Sequence, residues 1–209
     1  VNLHFKRNFN DALILYKKIT SLQPNFAEAH NNLGLIYYEL ENKNDALKCY
    51  LKAIKINKDY LEALSNLGGL LVELGDYHNA IIYCEKAIKI KPLFAKAHSN
   101  LGWAYDELGN YSRAVDCYKK SISIDPSLPI THNNLGSLYK DIGEYDRAIQ
   151  YYKKAVKLDQ NYFIARKNLG IVFLLLSNFA EGFTEFEYRT RNKSKKEYQD
   201  IKLHSIFWK

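Results

Sequence analysis

The chain repeats itself every 34 residues, and no other feature restricts its fold so strongly. Leu33-Gly34, Leu67-Gly68, Leu101-Gly102, Leu135-Gly136 and Leu169-Gly170 occupy one position of that period. Ala46, Ala80, Ala114 and Ala148 occupy another, with Ala12 before them and Gly182 after. The stretch from Ala95 to Pro126 shows the unit in full: two amphipathic helical patterns separated by Gly109-Asn110 and closed by a proline. Such a period predicts an all-α array of helix–turn–helix units, stacked so that each touches its neighbours and together they make one elongated domain.

The landmarks have local reasons. His98, Leu101, Gly102 and Tyr105 form the inward stripe of a first helix. Gly102 and Ala114 mark the closest approach of the two helices, where a larger side chain would overpack the contact. Gly75, Gly109 and Gly143 suit the left-handed turn that ends a first helix. Two repeats carry Glu41-Asn42 and Ser177-Asn178 there, and asparagine is expected to stand in for glycine. Pro24, Pro92 and Pro126 stop second helices, with Lys58 and Gln160 replacing proline in two repeats. The expected division is a partial unit at 1–26, full units at 27–60, 61–94, 95–128 and 129–162, and a degenerate one at 163–191. Residues 192–209 read as a charged linker followed by a capping segment or the start of a further region. A chain without methionine that opens in mid-repeat reads as a fragment.

This pattern resembles the tetratricopeptide repeat (TPR) family over nearly the whole chain. The resemblance implies a right-handed α-solenoid that binds a protein or an extended peptide in the concave groove of a superhelix.

Composition excludes little beyond this. The net charge of +7 is uneven: residues 187–209 hold seven basic and three acidic residues, leaving only +3 for the repeats. Lys52, Lys86, Lys120 and Lys154 recur on the outer side of second helices and read as a solvated surface, so nucleic acid is not the expected partner. No run of eighteen apolar residues is present, and the opening VNLHFKRNFND has no apolar signal region. Cys49, Cys84 and Cys117 are odd in number and form no CxxC pair, which predicts buried thiols without disulfide or zinc. A reducing, cytoplasmic setting is expected, and membrane is not an expected partner.

No catalytic constellation emerges, and no cofactor or metal is expected. His30, His98 and His132 share one repeat position and read as packing groups, not as a ligand ladder. Gly68-Gly69 lies inside a helix and cannot cradle phosphate as a loop does. Asn192-Lys193-Ser194 matches a glycosylation sequon by chance.

Asparagine gives the stronger signal. Asn32, Asn66, Asn100, Asn134 and Asn168 recur without a break, almost opposite the Leu/Tyr stripe of each first helix. Sharing their face are Glu28, Leu35 and Glu39; Glu62, Gly69 and Glu73; Lys96, Trp103 and Glu107; Ile130, Ser137 and Asp141; Ile164, Ile171 and Leu175. An unbroken asparagine ladder resembles the TPR superhelix of O-linked N-acetylglucosamine transferases, which implies that these amides hold a peptide by its backbone. Each amide offers two donors and an acceptor. The same residues are also expected to bridge neighbouring repeats, and the two roles are compatible. Trp103 is the expected aromatic anchor, with Lys96, Glu39, Glu73 and Glu107 around it. A clamp for acidic C-termini is not expected: only Asn66 and Lys96 match that pattern, and the glutamates would repel an acidic tail.

The segment LLLSNFAEGFTEFEYRTRN followed by Trp208 is similar to the junction of bacterial proteins in which a TPR array leads into a glycosyltransferase-like domain. Hence a second expectation: the substrate-recruiting arm of a larger glycosyltransferase-like protein, inert alone, with a downstream domain of the same protein as partner. RNA binding by helical repeats is a weaker third. Ile164, Ile171 and Leu175 form an apolar stripe expected to be covered by the segment Ile201–Trp208, or by a second copy of the chain through self-association of the C-terminal repeat.

Overall fold

The computed structural model describes residues 9–191, which form eleven helices joined by short turns, with no strand among the described residues. They are α1 (Phe9–Leu22), α2 (Ala27–Glu39), α3 (Lys43–Ile56), α4 (Leu61–Glu73), α5 (Tyr77–Ile90), α6 (Ala95–Glu107), α7 (Tyr111–Ile124), α8 (Pro129–Asp141), α9 (Tyr145–Leu158), α10 (Phe163–Leu175) and α11 (Phe179–Arg191). The chain divides into two compact units, one ending at Pro126 and holding α1–α7, the other beginning at Ser127 and holding α8–α11.

Each turn within a hairpin is built from two adjacent residues with different tasks. In the second hairpin Gly75 takes φ +79°, its N–H donates to the Val72 carbonyl at 3.0 Å, and the Asp76 N–H donates to that of Leu71 at 2.9 Å. Asp76 then caps α5, its Oδ1 accepting from the Asn79 N–H at 3.3 Å. Asn42 and Asn110 cap α3 and α7 in the same manner. This corrects the expectation for the two turns without glycine. The left-handed residues there are Glu41 (φ 59°) and Ser177 (φ 60°), whereas Asn42 has φ −89°. The Asn42 side chain caps the following helix, and that task requires ordinary backbone, so the left-handed φ falls on the residue before it.

Close approach of the paired helices explains the landmark glycines. A Cβ on Gly102 would lie 2.8 Å from the Tyr118 ring, and one on Gly136 would lie 2.9 Å from the Tyr152 ring. In the second repeat Cys84 fills the tyrosine position, its Sγ 2.5 Å from a Cβ added at Gly68. In the last, Gly170 and Gly182 let the two backbones meet, a Cβ on Gly170 falling 3.1 Å from the Gly182 carbonyl oxygen. Ala46, Ala80, Ala114 and Ala148 are fully buried beside these contacts.

Stacking makes the core continuous within a unit. In the first, Tyr50 and Ile54 of α3 join Leu64, Leu67, Leu70 and Leu71 of α4, then Ala80 and Ala87 of α5 and Ala97 and Ala104 of α6. In the second, Leu135, Leu138, Tyr152, Leu169 and Val172 are buried. Each such side chain removed from water contributes about 1.5–3 kcal/mol before entropy is counted. The last hairpin ends this pattern: Ile164 is 56% exposed and Leu175 58%, with Ile171 half-buried. The expected cover, Ile201–Trp208, lies outside the described residues, as do the linker and the sequon.

Candidate functional site

The asparagines sit on the first helices, half-buried, and the amides of Asn32, Asn66, Asn100 and Asn168 reach back toward the preceding helix or repeat. In the first unit Asn66 Nδ2 donates to Asn31 Oδ1 at 2.9 Å, and Asn100 Nδ2 donates to the Ser65 carbonyl at 2.8 Å. Asn32, with only α1 before it, donates to the Tyr16 hydroxyl at 3.2 Å. In the second unit Asn168 Nδ2 donates to Asn133 Oδ1 at 3.0 Å, and Asn133 donates to Asn134 Oδ1 at 3.3 Å. The acceptors at Asn31, Ser65 and Asn133 are buried. The amino groups of Asn32, Asn66, Asn100 and Asn168 are therefore committed to stacking, and their orientation is fixed. Among the described residues, the Oδ1 atoms of Asn32, Asn100 and Asn168 carry no hydrogen bond, which leaves the ladder with acceptors to offer. Gly69 belongs to the same device: a Cβ there would lie 3.1 Å from Asn100 Nδ2.

Charged groups on this face are partly spoken for. Glu73 accepts from the Tyr38 hydroxyl and pairs with Lys43 at 2.8 Å, tying the α4 end to the previous hairpin. Burial, and then that carboxylate, push the Tyr38 hydroxyl pKa well above its ordinary value. Glu107 accepts from the Trp103 indole at 3.1 Å and from Tyr77 at 3.5 Å. Glu39 stays exposed. Lys96 donates to Asn66 Oδ1 at 2.6 Å. Although Lys96 counts as exposed over its whole length, desolvation around its ammonium lowers the pKa, with the Glu62 carboxylate opposing. Trp103 lies half-buried against the core of the first unit, which holds its ring in place.

The structure thus brings Asn66, Lys96, Asn100, Trp103 and Glu107 onto one face of neighbouring first helices in the first unit. In the second unit, taken by itself, Asn134 and Asn168 hold the corresponding repeat position and the flanking groups are apolar: Ile130 is 49% exposed and Ile164 56%.

The histidines do structural work. His30 and His98 each donate through Nε2 to the carbonyl six residues earlier, Pro24 at 3.0 Å and Pro92 at 2.9 Å. Arg166 holds the same register and repeats the contact to Gln160 at 2.9 Å, then pairs with Glu185 at 2.8 Å. His132 is buried and stacks on Tyr151. Sequence reasoning missed the Arg166–Glu185 pair and the Tyr38–Glu73–Lys43 bridge. Arg166 at a histidine register was a legible signal for the first. The described residues contain no group of side chains that could hold a metal ion and no helix long and apolar enough to cross a membrane.

Paired antiparallel helices, stacked through a repeated asparagine contact, define a helical-repeat interaction protein. The chain belongs to the tetratricopeptide repeat family: models described as tetratricopeptide repeat match residues 27–60, 61–92, 95–128 and 129–162, more than half of it. Solved structures agree. The crystal structure of MamA is similar at 30% identity and TM-score 0.60, covering 75% of this chain and 92% of that one. TTC0263, a thermophilic TPR protein of Thermus thermophilus, matches at 22% identity and TM-score 0.76, covering 82% and 94%. A tetratricopeptide repeat protein from Parabacteroides merdae matches at 21% and TM-score 0.80, covering 93% and 76%. These last two show the fold alone, an all-α TPR solenoid. No curated protein matches the chain in sequence. TPR proteins in general mediate protein–protein interaction, and that coarse class is this chain's.

Proposed function

We propose that the first-helix face binds an extended peptide or protein segment. In the first unit Asn32, Asn66, Asn100 and Trp103 form the centre, with Lys96, Glu39, Glu73 and Glu107 setting polarity. In the second unit Asn134 and Asn168 occupy the same repeat position. One observation carries this reading: the amides of Asn32, Asn100 and Asn168 are oriented by their Nδ2 bonds, while their Oδ1 atoms carry no hydrogen bond among the described residues. An extended peptide has a backbone N–H at every residue except proline and can donate to such acceptors without regard to its sequence. Trp103 adds the apolar contact that commonly dominates such interfaces. No catalysis belongs to this reading: incubation with nucleotide sugars and acceptor peptides gives no turnover above a buffer blank.

The test begins with peptides selected on the chain from a random library, followed by amide exchange with and without the best binder. Slowed exchange in α4 and α6 supports the reading. Protection confined to the outer second helices α5 and α7 contradicts it.

A further inference from the structure

One carboxylate on the peptide face of the first unit keeps its charge unmatched. Glu73 and Glu107 hold the same repeat position, as the last residues of α4 and α6. A carboxylate there meets the negative end of the helix dipole, so a cation beside it is favoured. Glu73 finds one in the preceding hairpin: Lys43, 30 residues earlier, pairs with it at 2.8 Å, and Tyr38, 35 residues earlier, donates its hydroxyl. Shifting both partners by one repeat gives Tyr77 and Val72. The Val72 side chain is buried and has nothing to donate, and Tyr77 brings a neutral hydroxyl, 3.5 Å from Glu107 Oε2, where Lys43 brings an ammonium. The Trp103 indole, which donates to Oε1 at 3.1 Å, is neutral as well. Among the described residues no ion pair forms at Glu107, which is exposed.

The cations near it in sequence are engaged or distant. Arg113 lies over the Tyr105 ring at 5.4 Å. Lys96 donates to Asn66 and stands eleven residues earlier on α6, about 16 Å along the helix axis. Trp103, one turn before Glu107, holds its ring against the same carboxylate, and no cation of the described residues lies over that ring. An aromatic ring attracts a cation to its face, and a carboxylate beside it adds a charge-assisted hydrogen bond. Glu28, Glu39 and Glu62 add negative charge to this face against Lys96 alone, which draws a basic segment and repels an acidic one. We propose that Trp103 and Glu107 form a subsite for a cationic side chain, arginine or lysine, of the bound segment. The subsite rests on the reading of this face as a peptide site. The aliphatic stem lies along the indole, and the charged end supplies Glu107 with the partner that Lys43 gives Glu73.

Peptides selected on the parent chain test the proposal. They should share arginine or lysine at one position, and replacing that residue by methionine should raise Kd about fivefold at low salt, less as salt rises. Glu107→Gln keeps an acceptor for the indole and removes only the charge. It should weaken the basic peptide by a similar factor and leave the Kd of the methionine peptide unchanged. Selected peptides without a shared basic residue overturn the subsite and leave the peptide face standing, as does a basic peptide whose Kd ignores Glu107→Gln. Equal weakening of both peptides by Glu107→Gln assigns the carboxylate to holding Trp103 in place and overturns the subsite too. Failure to select any peptide removes the face itself, and the subsite with it.

Discussion

Glu41 and Ser177 sit in the left-handed region, where a Cβ crowds its own backbone, and glycine does the same task elsewhere without that cost. Glu41→Gly or Ser177→Gly should raise stability by about 1 kcal/mol, and Gly109→Ala should lower it by a similar amount. Urea denaturation of the three variants checks this; a Glu41→Gly protein no more stable than its parent would contradict it. The sequence shows that a turn occurs at these places but not which residue takes the unusual φ, because Asn42 and Asn178 suit both the turn and the cap. Cys84 offers a second residue-scale check. Burial pushes its thiol pKa up to about 12, and only the thiolate is nucleophilic. At pH 8 its alkylation in the folded chain should be at least about a hundredfold slower than in denatured chain, and the rate should climb as pH approaches the folded pKa.

At the scale of elements, the helical wheel correctly separates the Leu/Gly/Tyr side of a first helix from its asparagine side. It cannot show that the asparagine side meets the preceding first helix, because that neighbour is 35 residues away and outside any local period. The buried acceptors were nevertheless readable, since Asn31, Ser65 and Asn133 are small, polar and spaced like the ladder itself. A double-mutant cycle on Asn31→Ala and Asn66→Ala should return a coupling of about 0.5–1.5 kcal/mol, the worth of one part-buried hydrogen bond. Additive effects would mean that the contact adds nothing to stacking. The second case of element-scale reach is Glu73, expected on the groove face, which also ties α4 to Tyr38 and Lys43.

For the whole molecule, the fold was legible because each landmark appears about five times and only one architecture satisfies all copies together. The face that binds was less legible for the converse reason. Position 35/69/103/137/171 runs Leu, Gly, Trp, Ser, Ile, so periodicity averages away the variation in which specificity lies. Stability in a stacked array accumulates from many similar contacts, whereas affinity concentrates in a few side chains. Binding and folding should therefore respond to different substitutions. The most direct measurement titrates one selected peptide against the parent chain, Trp103→Ala, Asn100→Ala and Lys120→Ala, with a thermal melt of each. Trp103→Ala should weaken Kd roughly thirtyfold, about 2 kcal/mol, and Asn100→Ala roughly fivefold, about 1 kcal/mol. Lys120→Ala, on the exposed outer side of α7, should leave Kd unchanged. A Trp103→Ala chain that melts earlier but binds the peptide with its original Kd would contradict the peptide-binding face.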